Sequence, residues 1–115
     1  RMTAGITDLV IARAGSGTIF EIASWRLPSI LVPLPIDISH DQTENAFSYA
    51  RSGGAVVIEQ QNLTPHLLSA EIERLMNDKA LRETMSQAAD SYARRNAGKK
   101  IAQIIIETAL EHEPV

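Results

Sequence analysis

Three short, largely apolar runs alternate with helical patterns in the first half of the chain. The runs cover residues 9–12, 29–32 and 55–58. Short runs of this kind are typical of strands that are buried on both faces of a parallel sheet. With right-handed connections, the order strand, helix, strand, helix, strand predicts an α/β fold, in which helices cover both faces of a parallel sheet.

Capping residues and glycines predict where the helices begin and end. The first helix begins at Ser16 or Gly17 and ends near residue 25, before Pro28. A capping box over residues 39–42 begins the second helix, which ends at the two glycines 53 and 54. Three more helices are predicted over residues 64–77, 78–95 and 96–111.

Composition excludes several classes of protein. A length of 115 residues, 44% of them hydrophobic and 22% charged, is typical of a single soluble globular domain. The net charge of −3 gives no electrostatic footprint for nucleic acid, so no nucleic-acid partner is expected. The chain has no cysteine, which excludes disulfides and thiolate metal sites and suits a reducing compartment. It also lacks any apolar run of about 18 residues that could span a membrane.

The glycine-rich turn after the first run has two interpretations. It contains Arg13, Gly15, Ser16, Gly17 and Thr18. These residues follow the carboxyl end of a parallel strand, where α/β sheets bind ligands. The turn is either a tight strand-to-helix connection or an anion site, formed by backbone N–H groups and hydroxyls at the positive end of a helix.

Glu21 lies about one helical turn beyond this segment, on the side that Gly17 and Thr18 also face. It is either a solvated helix residue or an acceptor for the sugar hydroxyls of a nucleotide diphosphate. A glycine-rich turn is a weak signal by itself, so the spacing leaves both interpretations open.

Polar residues cluster at the start of the second helix. We assign Ser39 to capping. Asp41, Gln42 and Asn45 fit helix-terminal roles too, but their position beside the first turn favours a hydroxyl-rich ligand. No second histidine lies at ligand spacing from His40, so no metal site is expected.

Three other side chains are expected to be structural. Trp25 is predicted to cover the sheet edge rather than to stack on a base, and His66 and His112 are predicted to lie on the surface.

The sequence resembles the carboxyl-terminal domain of the MurG family, in glycosyltransferase family 28. Three segments carry the resemblance, in the family's order: DLVIARAGSGTIFEIASWRLPSILVPLP, SHDQTENA and GGAVVIEQQNLTP. The similarity runs from about Thr7 to the end of the chain. It implies a GT-B fold, with two Rossmann-like domains of which the second holds most of the donor. The family transfers N-acetylglucosamine from UDP to undecaprenyl-pyrophosphoryl-muramoyl pentapeptide in peptidoglycan synthesis.

The resemblance also implies a role for each candidate residue. Donor diphosphate would lie against Arg13, Gly15, Ser16, Gly17 and Thr18, and the ribose hydroxyls against Glu21. N-acetylglucosamine would contact Asp41 and Gln42, with Asn45 continuing the motif. Asp41 departs from the family's commonest pattern, which has glutamine or histidine in this neighbourhood, and the departure bears on sugar specificity.

The chain is expected to be a piece of a longer protein, since residues 1–6 look like the end of a helix. Residues 1–115 would form the carboxyl-terminal part of the donor domain, without the acceptor domain or the first part of the donor domain. We therefore expect no catalytic residue here, no cofactor and no activity of this piece alone. The parent would be cytoplasmic and peripheral on the inner face of the membrane, meeting membrane and lipid-linked acceptor through its amino-terminal domain.

Two other functions remain open from the sequence. The chain is alternatively a non-catalytic donor-binding subunit that acts only with a partner chain, as in the split transferases of the dolichol pathway. It is otherwise part of a related transferase that uses another nucleotide sugar.

Overall fold

A three-stranded parallel sheet lies at the centre of the molecule. The computed structural model describes the backbone of residues 8–111 and the side chains of residues 8–98. The strands β1 (Val10–Ala12), β2 (Ser29–Leu31) and β3 (Ala55–Val57) lie in the order β1-β2-β3, and Ile30 of β2 is opposite Ile11 and Val56. The α/β fold predicted from the sequence is confirmed.

Four α-helices connect and cover the strands. They are α1 (Ser16–Ser24), α2 (His40–Ser52), α3 (Pro65–Met76) and α4 (Lys79–Glu111), and a 3₁₀ turn over Gln60–Asn62 follows β3. The predicted end of α2 is confirmed, because Gly53 adopts the left-handed conformation (φ 103°) that favours glycine after a helix. Within residues 8–111, no helix combines the length and the hydrophobicity of a membrane span.

The last helix is continuous where the sequence predicted two. The prediction of separate helices over residues 78–95 and 96–111 is wrong, because α4 runs unbroken from Lys79 to Glu111. Asn96, the predicted start of the second, donates its Nδ2 group to the Tyr92 carbonyl, 2.8 Å away and one turn earlier. A side chain that bonds backward in this way sits inside a helix, and no proline interrupts the segment. The predictions for residues 1–6 and for His112 lie outside the described residues.

Apolar side chains form one cluster on each face of the sheet. Ile30 and Leu31 are neighbours in β2, so they point to opposite faces, and both are completely buried. Ile30 belongs to a cluster with Leu75 of α3, whereas Leu31 belongs to one with Ile22 of α1 and Tyr49 of α2. Helices therefore cover both faces of the sheet, as predicted.

A pair of tyrosines, one buried and one half-buried, packs at the Leu31 cluster next to Gly54. The rings of Tyr49 and Tyr92 meet edge to face, with their centroids 4.8 Å apart. Burial raises the pKa of the Tyr49 hydroxyl, because the charged form would lose its hydration. A Cβ atom at position 54 would lie 2.5 Å from the Tyr49 hydroxyl oxygen, so the packing leaves room only for glycine.

We predict that Gly54→Ala lowers the free energy of unfolding by about 1–3 kcal/mol, because the enclosed Tyr49 ring cannot move away from the new methyl group. Urea unfolding of the full-length gene product measures the change. Gly98→Ala is the matched control, since a Cβ at that helical position meets nothing within 4 Å and alanine favours a helix over glycine. Equal stability of Gly54→Ala and the parent would show that Tyr49 does not fix this position.

Candidate functional site

The loops that follow the three strands meet at one edge of the sheet, because parallel strands have their carboxyl ends on the same side. Arg13, directly after β1, connects all three loops. Its Nη1 group donates to the Val32 carbonyl after β2, at 3.3 Å, and to Gln60 Oε1 after β3, at 2.6 Å. The guanidinium group is thereby held between the loops that follow β2 and β3.

The first turn of α1 lacks the side-chain cap that the other helices have. Ser39, Thr64 and Asp78 each accept a hydrogen bond from a first-turn N–H group, at the starts of α2, α3 and α4 respectively. At α1 the capping position is Gly15, no side chain caps the helix, and the first turn has no acidic residue. The N–H groups at the positive end of α1 therefore remain available to an anion.

The two glycines of this turn are not explained by the turn itself. Gly15 has φ −67°, a conformation open to any residue. A Cβ at Gly15 would lie 3.8 Å from Thr18 Oγ1, an ordinary contact, and one at Gly17 would meet nothing within 4 Å. Glycine here keeps space open on the outside of the protein, which favours the anion interpretation over the tight-turn interpretation.

Glu21 has the position expected for a ligand acceptor. It lies on the exposed side of α1, as do Ser16, Gly17 and Thr18. Among the described residues, no side chain forms an ion pair with its carboxylate. A carboxylate in this position can accept two hydrogen bonds from vicinal hydroxyls of a bound molecule.

The start of α2 confirms one half of the predicted capping box and contradicts the other. Ser39 Oγ accepts from the N–H group of Gln42, at 3.4 Å, as predicted. The reciprocal bond from the Gln42 side chain to Ser39 is absent, because the Ser39 N–H group donates to the Pro35 carbonyl. Gln42 Oε1 instead accepts from the backbone N–H groups of Ala14 (3.3 Å) and Leu34 (3.1 Å).

The neighbouring polar residues of α2 differ in their surroundings. Asn45 Nδ2 donates to the Ala14 carbonyl at 3.5 Å, and the residue borders an open groove of about 490 Å³ along α2. Asp41 is exposed in the first turn of the helix. His40 Nε2 lies 3.0 Å from the Glu44 carboxylate, and both side chains are exposed. Over the described residues, no three metal-binding side chains come together.

Gln60, which anchors Arg13, was not predicted from the sequence. The loop after β3 contains two adjacent glutamines that the sequence does not distinguish, and the side chain of Gln61 donates to Glu59 instead. Trp25 is half-buried against the Leu31 cluster, and His66 is exposed as predicted.

Residues 4–105 match the family described as "Glycosyltransferase family 28 C-terminal domain". The chain belongs to this family. In the solved structures, a chain of MurG from Acinetobacter baumannii matches with a TM-score of 0.71 and 34% identity, over 88% of this chain and 30% of that one. This family 28 domain therefore shares its fold with part of that structure.

Curated relatives carry the name "UDP-N-acetylglucosamine--N-acetylmuramyl-(pentapeptide) pyrophosphoryl-undecaprenol N-acetylglucosamine transferase". One from Methylococcus capsulatus is 41% identical over 105 residues, which cover 91% of this chain and 30% of the relative. One from Nitrobacter hamburgensis is 38% identical over 108 residues, covering 94% of this chain and 29% of the relative. This family 28 domain thus spans less than a third of the length of these relatives.

We predict that inorganic pyrophosphate shifts the backbone amide resonances of Ser16, Gly17 and Thr18 when it is titrated into the full-length gene product. The open N–H groups of α1 offer the donors for it. Leu67 is the internal control, because its N–H group already donates to Thr64 Oγ1 at 3.0 Å. Shifts as large at Leu67 as at the α1 turn would mean that the anion binds without selectivity for the uncapped helix.

Proposed function

We propose that the chain is the donor-binding part of an inverting glycosyltransferase, which moves N-acetylglucosamine from UDP to lipid-linked muramoyl pentapeptide. The uncapped start of α1 carries the proposal, because it presents N–H donors and a favourable dipole to a diphosphate. The names of the relatives from Methylococcus capsulatus and Nitrobacter hamburgensis, which describe this transfer, support the choice of substrates.

The diphosphate is assigned to the turn that contains Arg13, Gly15, Ser16, Gly17 and Thr18. Arg13 contributes a permanent positive charge, and its two hydrogen bonds to protein oxygens both use Nη1. A guanidinium group has five N–H donors, so Nε and Nη2 can still face phosphate oxygens. The hydrogen bonds to Val32 and Gln60 orient the group before the donor arrives.

The ribose and the transferred sugar are assigned to opposite sides of this turn. Glu21 accepts hydrogen bonds from the ribose hydroxyls, which are stronger than neutral ones because the acceptor is charged. Asp41, Gln42 and Asn45, at the start of α2, face N-acetylglucosamine. Gln42 uses Oε1 for the backbone, so the group it offers to the sugar is the Nε2 donor.

These contacts stabilise the leaving group during transfer. The acceptor oxygen forms a bond to the anomeric carbon while the bond from that carbon to the phosphate oxygen breaks, and UDP leaves with the electron pair. Arg13 and the positive end of α1 stabilise the negative charge that develops on the diphosphate. The acceptor hydroxyl gives its proton to a base outside this chain.

The chain is accordingly assigned no catalytic residue, metal or cofactor. Residues 1–115 form the carboxyl-terminal part of the donor domain, and the acceptor domain belongs to the rest of the protein. That domain binds the lipid-linked acceptor and makes the contact with the cytoplasmic face of the membrane.

We predict that Glu21→Gln, in the full-length gene product, weakens UDP binding by about 1.5–3 kcal/mol, because a charged acceptor becomes a neutral one. Calorimetric titration with UDP measures the loss. The melting temperature should stay near that of the parent, since Glu21 is exposed. Glu73→Gln on α3, also exposed, serves as the matched control. A variant that binds UDP normally but melts well below the parent would give Glu21 a structural role only.

A further inference from the structure

Ala14 lies between β1 and α1, at a point where the backbone needs hydrogen-bond partners from elsewhere. It is completely buried, and water therefore cannot satisfy its N–H and C=O groups. The β1–β2 ladder ends before it, with the pair Ala12 and Leu31. Both of its backbone groups find their partners on side chains of α2.

Gln42 supplies the partner for the N–H group. Its Oε1 atom accepts from Ala14 at 3.3 Å and from Leu34 at 3.1 Å. Two N–H donors facing one side-chain amide fix its orientation, because only the oxygen atom can accept from them. One oxygen thereby joins the loop after β1 to the loop after β2.

Asn45 lies one turn further along α2 and supplies the other partner. Its Nδ2 group donates to the Ala14 carbonyl at 3.5 Å, a long hydrogen bond. Ala14 is thus held on both sides by a single helix, with the shorter bonds made by Gln42.

We propose that Gln42 and Asn45 are positioning residues for the diphosphate turn, a role that rests on the proposed function and adds to their contacts with the sugar. Ala14 directly precedes Gly15, which begins α1 without a side-chain cap. The placement of Ala14 therefore sets where the first N–H groups of α1 point. The body of α1 is held separately, because Ile19, Ile22 and Ala23 are buried in the core.

The affinities for three ligands distinguish this positioning role from a contact with the sugar alone. The ligands are uridine, UDP and UDP-N-acetylglucosamine. A residue that only contacts the sugar changes the affinity for UDP-N-acetylglucosamine alone. A residue that positions the diphosphate turn also lowers the affinity for UDP, and if it contacts the sugar as well, the affinity for UDP-N-acetylglucosamine falls at least as much. It leaves uridine binding unchanged, because uridine has no phosphate.

The experiment is calorimetric titration of the full-length gene product and its Gln42→Met variant with the three ligands. Methionine has a similar volume but no acceptor of comparable strength. We expect the affinity for UDP to fall on the order of tenfold, as expected when about one hydrogen bond to the anion is lost, and the affinity for UDP-N-acetylglucosamine to fall at least as much, because Gln42 also contacts the sugar. Uridine affinity should stay at the parent value. Gln87→Met, at an exposed position of α4, is the matched control and should leave all three affinities unchanged.

Each other outcome overturns the proposal. A loss confined to UDP-N-acetylglucosamine leaves Gln42 as a sugar contact, a loss for all three ligands means general damage to the fold, and no loss means that the bonds to Gln42 do not matter. If Gln42→Met fails to fold, Asn45→Leu repeats the test, with a smaller loss of UDP affinity expected and at least as large a loss for UDP-N-acetylglucosamine.

The Asp41→Ala variant tests the proposed function separately from the positioning role of Gln42 and Asn45. It should weaken UDP-N-acetylglucosamine binding and spare UDP, since Asp41 touches neither Ala14 nor the turn. Failure of that variant to discriminate would remove the sugar assignment and leave the positioning role intact. A parent protein that binds none of the ligands would overturn the proposed function itself.

Discussion

The complete burial of β2 determines how the helices and loops of this domain are arranged. Ser29, Ile30 and Leu31 are completely shielded from solvent, with a strand on either side and helices against both faces. Ile30 and Leu31 make this strand apolar on both faces, and its parallel neighbours need helical connections that cross over the sheet. Those connections bring the three loops to one edge, so the place of the site follows from the core.

At that edge, beyond the ends of the short strands, hydrogen bonds from side chains hold the loops together. Arg13 reaches the loops after β2 and β3, and Gln42 joins the loops after β1 and β2. α1, between them, lacks the side-chain cap that three other helices have, and a cap contributes about 1 kcal/mol to helix stability. The start of α1 is thus less stable than a capped helix start, and a bound anion would supply the acceptors that its N–H groups lack.

Much of the fold was predictable because it depends on local signals. The apolar runs predicted the three strands to within one residue at each end, and Thr64 and Asp78 predicted the caps of α3 and α4 by residue type. The break predicted near residue 95 is wrong because asparagine also suits a helix interior when its side chain bonds backward, as Asn96 does.

The site was only partly predictable because its contacts are distant in sequence. The Ser39–Gln42 motif predicts a reciprocal capping box, but the buried N–H group of Ala14, 28 residues away, takes the glutamine side chain instead. Nothing local indicates that competition, nor the bond from Arg13 to Gln60, 47 residues further on. The turn and the start of α2 lie side by side as expected, whereas the ligand roles of all the assigned residues remain predictions.

A crystal structure of the full-length gene product with UDP-N-acetylglucosamine would show whether the uncapped start of α1 binds the donor diphosphate. We expect diphosphate oxygens at about 2.7–3.2 Å from backbone nitrogens of the turn 16–18, with the ribose hydroxyls on Glu21. A diphosphate bound elsewhere, with water on the first turn of α1, would contradict this expectation.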